Sequence, residues 1–185
     1  MFKTGILTLT LAGLAIGTLT PLSAHAGVSR GDRSFVKQAG QAGMGEVMAA
    51  QIALQRGVDG NVRSFAQQMV RDHSKAGQEL KKIAKSEGIA MPMSLDPTSR
   101  MQIDKLRSLS GADFDTAYSQ FQVRDHKAAI ALFQKEARNG RDINLRQFAQ
   151  STLPTLKMHR SMIYQVVASM QPMSSRMAHR KMHMK

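Results

Sequence analysis

Apolar residues recur at every third or fourth position through most of the chain, the period of helices that bury one face. Over residues 61–87 the inward set is Val62, Ala66, Met69, His73, Ala76, Leu80 and Ile83, so an imidazole falls in the middle of an apolar stripe. The opening NVRSFAQ returns at 144–150 as NLRQFAQ, and this copy leads a second stripe: Leu145, Phe148, Thr152, Leu156, His159, Ile163 and Val166. Phenylalanine precedes histidine by eight residues in the first copy (Phe65 to His73) and by eleven in the second (Phe148 to His159). The extra three keep both histidines on the equivalent face.

Two further helices complete the pattern. Residues 27–33 read as a polar start, after which Asp32 or Ser34 caps a helix to about Arg56 with the stripe Phe35, Ala39, Ala42, Glu46, Ala49 and Ala53. Its small residues allow close helix approach, and Glu46 is a carboxylate where a core would normally carry Leu or Ala. Residues 57–60 make a turn, with Asp59 or Asn61 capping the next helix, which Gly88 ends. The proline-containing stretch 89–97 is a long crossover, and a short helix from Asp96 or Thr98 to about Ser108 follows it. Ser110 and Asp113 have capping-box spacing before a helix that reaches Arg138 and stops at Asn139-Gly140. That helix has two neighbouring inward stripes, Phe114, Tyr118, Phe121, Asp125, Ala128, Leu132 and Gln122, His126, Ile130, Phe133, Ala137. Asp125 and His126 lie about 100° apart, so periodicity leaves open which faces the centre. Asp142 caps the last helix, which Pro154 should kink and Pro172 should end.

Ile52-Ala53-Leu54 recurs as Ile130-Ala131-Leu132, while Phe35 maps to Phe114 and Glu46 to Asp125. These two alignments differ by one residue, which leaves the register between the first and third long helices unsettled. Two hairpins joined by a crossover, with a short extra helix before helix three, predict an all-α, ferritin-like four-helix bundle over residues 27–171. No stretch has strand alternation.

Composition adds a location and narrows the chemistry. Lys3, an apolar run from Ile6 to about Leu19 and the small-x-small end Ala24-His25-Ala26 read as a signal peptide over residues 1–26. The chain is therefore expected to be exported, to the periplasm or the outer membrane. With no cysteine, disulfides, thiolate nucleophiles and iron–sulfur ligation are excluded. The formal charge of +13 favours anionic outer-membrane lipid or lipopolysaccharide over nucleic acid in that compartment. Residues 172–185 form a basic tail, and Met170, Met173, Met177, His179, Met182, His183 and Met184 supply soft donors suited to copper.

The segments SFAQQMVRDH, FDTAYSQFQVRDHKAAIALFQKEA and LRQFAQSTLPTLKMH carry a resemblance to the bacterial secreted family termed domain of unknown function four-one-four-two, often labelled an outer membrane protein. The likeness spans roughly residues 33–167. It implies a ferritin-like bundle and an envelope location, and it implies no established activity. The positions matching the family's recurring polar motif are Glu46, Asp72, His73, Asp125, His126 and His159.

Those six residues admit two readings. Buried carboxylates can orient imidazoles in a hydrogen-bond network that fixes helix register; alternatively, the histidines can hold copper or zinc. A di-iron centre is disfavoured, because Glu-x-x-His is absent: Val70 stands three residues before His73 and Leu156 three before His159. There is no G-x-S-x-G, H-E-x-x-H or Gly-rich phosphate loop, which points away from an enzyme. The reading favoured by the sequence is an exported bundle that binds or protects in the envelope through a buried His/carboxylate network. The alternatives are metal binding at the core histidines or the tail, and association of a cationic surface with the outer membrane.

Overall fold

The computed structural model describes residues 27–171. The expected signal peptide, and all of the Met/His tail except Met170, lie outside the described residues. Five helices follow one another: α1 (Arg30–Arg56), α2 (Gly60–Ser86), α3 (Pro97–Ser108), α4 (Gly111–Asn139) and α5 (Ile143–Met170). There is no strand among the described residues. No helix there is long and apolar enough to cross a membrane. α1 pairs with α2 and α4 with α5; α1 also packs on α4 and α2 on α5, while α3 lies against α1 and α4. α5 continues through Pro154.

The helix starts show how local chemistry sets the boundaries. α1 begins earlier than expected, at Arg30, because Ser29 and Asp32 form a reciprocal capping box: the Ser29 hydroxyl accepts from the Asp32 N–H, and the Ser29 N–H donates to the Asp32 carboxylate. Residues 30–33, expected within a polar start, are thus the first turn of α1. Asp59, Asp96 and Asp142 cap α2, α3 and α5. The capping box expected at Ser110 is absent, since its side chain makes no cap bond. Gly111 takes φ 61°, a left-handed conformation that redirects the chain immediately after Ser110.

On each long helix, aligned residues divide into two apolar cores with a polar layer between. One core holds Ala49, Phe65, Met69, Tyr118, Phe121 and Ile163; the other holds Phe35, Leu80, Ile130, Phe133, Phe148 and Leu156. Between them along the chain come Glu46 on α1, His73 on α2, Gln122 and His126 on α4, and His159 on α5. In the second core Phe133 lies 5.1 Å from Phe35 and 5.8 Å from Phe148, ring centre to ring centre.

The structure also settles the internal register, and corrects it. Phe35 matches Tyr118, not Phe114, and Glu46 matches Ala129, not Asp125. A constant offset of 83 residues relates the halves (32 to 115, 59 to 142, 65 to 148). At that offset the equivalent residues play equivalent parts. The buried Asp115 carboxylate of α4 accepts from the Val58 and Asp59 N–H groups, at 3.2 and 2.8 Å, in the α1–α2 turn. The buried Asp32 carboxylate of α1 accepts from the Arg141 N–H, at 2.9 Å, in the α4–α5 turn. Each turn opens on a glycine: a Cβ on Gly57 would meet the Ala53 carbonyl at 2.7 Å and the Asp115 carboxylate at 3.1 Å, and one on Gly140 would meet Glu136 at 2.5 Å. A larger residue would press on the Ala53 carbonyl and Asp115 in the first turn and on Glu136 in the second.

Candidate metal centre

α2, α4 and α5 each turn one histidine into the waist. Adjacent positions on α4 are resolved by packing, with His126 buried between Gln122 and Ile130 and Asp125 left half-buried on the flank. The inward stripe of α4 beyond Phe121 is therefore the second one, and Ala128 is exposed. Ring centres of His73, His126 and His159 form a nearly equilateral triangle with sides of 5.6, 5.3 and 5.4 Å. One ring nitrogen from each lies within 4.8 Å of the other two. Phe65 underlies the group, with its ring centre 6.3 Å from both His126 and His159.

Partners on the outer side fix the protons. The Nδ1 of His126 is 3.0 Å from the Gln122 carbonyl, and a carbonyl only accepts, so this nitrogen carries the hydrogen. The Glu46 carboxyl is farther from it, at 3.5 Å. The Nε2 of His159 is 2.7 Å from Asp72. Burial raises the Asp72 carboxyl, but hydrogen bonds from Gln68 and His159 together outweigh it and hold the group below the usual carboxylate range. Asp72 is thus an ionised acceptor, and the His159 Nε2 carries the hydrogen. The lone pairs are left on the His126 Nε2 and the His159 Nδ1. Both are buried with no hydrogen-bond partner among the described residues, as is the His73 Nε2.

All three rings are neutral at ordinary pH. Burial pushes His73 down to about 3, with His126 and His159 adding to the fall and Asp72 opposing it. Burial takes His126 to about 4, and His159 is lowered by burial against the pull of Asp72. Neutral imidazoles with free lone pairs are the form that ligates metal, and donation of the outer N–H to a carboxylate or carbonyl is the usual support of such a ligand. An ion bound at about 2.0–2.1 Å from each nitrogen would draw the three in from their present spread.

The carboxylates divide. Asp72 serves His159 across the bundle and not its chain neighbour His73. Glu46 is buried with neither oxygen in a hydrogen bond; burial raises it well above the usual range, and the charge of Asp125 adds to this. Gln122 comes near enough to lower both Glu46 and Tyr118, yet none of these three side chains reaches hydrogen-bond geometry. Asp125 is itself raised to about 6 by burial, Arg124 opposing and Asp96 adding, and it is not among the groups able to share an ion. Met170, expected among the tail donors, is the last residue of α5, packs on a core and accepts from the Ser119 hydroxyl at 3.6 Å. It belongs to the bundle instead.

Sequence reasoning missed a second buried acidic group at the α4–α5 turn, Asp32, Glu136 and Asp142. Burial lifts Glu136 to about 7, with Asp32 and Asp142 adding. The constant 83-residue offset between Asp32 and Asp115 was the available signal.

A family model described as Domain of unknown function (DUF4142) matches residues 17–166. The fold is similar to the crystal structure of a DUF305 fragment from Deinococcus radiodurans, with a TM-score of 0.69 and 15% identity over 77% of this chain and 99% of that one. At that identity the likeness extends to the fold alone. No curated protein matches the chain.

Proposed function

From the premise that the chain belongs to the DUF4142 family, a domain of unknown function, we propose that it is an exported metal-binding protein. Its ferritin-like bundle holds one zinc or copper ion on His73, His126 and His159. The observation that carries this reading is the convergence of three neutral rings, His126 and His159 buried and His73 partly so, each with a buried nitrogen that has no hydrogen-bond partner among the described residues. An unpartnered buried polar group costs about 1–3 kcal/mol, so three such nitrogens converging on one point favour a shared ion that partners all of them. Three imidazoles suit zinc and copper, and the order of divalent affinities places copper highest. Asp72 and the Gln122 carbonyl are the supports that orient two of the ligands. Glu46 and Asp125 are not ligands in this reading. Export through residues 1–26 brings the protein to an envelope compartment.

The test is metal content after dialysis against zinc, copper or iron, on protein carrying no histidine tag. Wild type is expected to retain one equivalent of zinc or copper, and His126→Ala and His159→Ala to lose it while keeping their helical circular dichroism. Retention of none by the wild type, or equal retention by both variants, would refute the proposal.

A further inference from the structure

A cavity of about 80 Å³ runs between the helices to the histidine triangle. Its walls are mostly Ala, Gly, Met, Leu and Phe. Ala42 and Gly43 on α1 and Ala76 and Gly77 on α2 leave the gap, where the sequence had suggested close helix approach. His73 and His159 form part of its lining and His126 does not, so the cavity meets the triangle from one side only. Glu46, whose two oxygens have no partner, lies on the same wall. Such a space accepts a few water-sized molecules.

Three protein ligands leave a fourth position on a tetrahedral ion, and sites that keep that position open exchange small ligands there, whereas structural sites close it with a fourth side chain. Among the described residues no fourth histidine joins this triangle, and neither Glu46 nor Asp125 is placed among the groups able to share the ion. We infer that the fourth position faces the cavity and takes an exchangeable monodentate ligand, water or a small anion of two or three atoms, admitted between Gly43 and Gly77. This rests on the three-histidine reading above and goes beyond it: the centre is open and its access is gated by the absence of two side chains. A Cβ built on Gly43 or Gly77 meets no atom within 4 Å, so a methyl group is accommodated at either position and gains helix propensity over glycine, and a leucine extends from there over the gap.

Sodium azide added to the copper(II)-loaded full-length protein is the probe. Saturable growth of an azide-to-copper charge-transfer band is expected for the wild type and for Gly77→Ala. In Gly43→Leu and Gly77→Leu the band should be lost while one copper per chain is retained, and since these sit on different helices, either variant alone suffices. A protein that binds copper but gives no azide band overturns the open position and leaves the three-histidine reading standing. An undiminished band in both leucine variants overturns the cavity as the route. Failure to bind copper or zinc at all overturns both proposals.

Discussion

The two hairpins agree at their turns and differ at their middles. At the turns, position by position along the 83-residue offset, Asp32 answers to Asp115, Gly57 to Gly140, Asp59 to Asp142 and Phe65 to Phe148, and each pair is used in the same way. At the waist the correspondence fails: His126 stands opposite Gly43, Glu46 opposite Ala129, and His159 three residues beyond the position equivalent to His73. Repetition therefore tracks what closing a hairpin requires, and departure from it tracks the chemistry. One departure lies at a turn, where Glu136 takes the place of Ala53 and adds a further buried carboxyl beside Asp32 and Asp142.

The largest expected effect comes from breaking the clasps. Asp32→Ala and Asp115→Ala each strand at least two backbone N–H groups, at about 1–3 kcal/mol apiece. Losses on the order of 2–5 kcal/mol should appear for both in urea denaturation. A large loss in one and none in the other would dissolve the equivalence of the halves. Next is the waist: zinc or copper at about a hundred times its Kd should stabilise the wild type by roughly 2.7 kcal/mol and leave His126→Ala unmoved. Calorimetry with and without metal distinguishes these.

The third expectation concerns pH, and the two regions have opposite signs. The folded pKa of Glu136, about 7, lies above its ordinary value of 4.5, so its contribution is full below 4.5 and lost as pH rises through 7. His73 and His126, at about 3 and 4, lie below 6.5, so theirs is full above 6.5 and lost as pH falls toward those values. Glu136→Gln should therefore melt with less loss between pH 4.5 and 7 than the wild type, and an unchanged pH profile would mean that Glu136 is not held neutral. The smallest effect separates two serines. Ser29→Ala should cost about 1 kcal/mol, whereas Ser110→Ala, which removes no cap bond, should change the melting temperature negligibly.

Much of this was legible in the chain and some was not, for identifiable reasons. His73 and His159 could be placed inward because each interrupts an otherwise apolar stripe. His126 could not be separated from Asp125, since α4 is apolar over a wide arc and only its neighbours choose the face. Asp32 was read as a cap of its own helix, because a carboxylate in a first turn does that work locally; its second bond, to a turn 109 residues away, has no local trace. The cavity was hidden for a similar reason. Alanine and glycine on one helix state only that space exists there, and whether a neighbour fills it depends on residues remote in sequence.

The reciprocal clasp carries a consequence for how the two halves depend on each other. Neither hairpin owns the acid that ties its own loop; each owns the one its counterpart needs. Each half is therefore completed by the other, and the crossover that joins them keeps both acids beside the loops they hold.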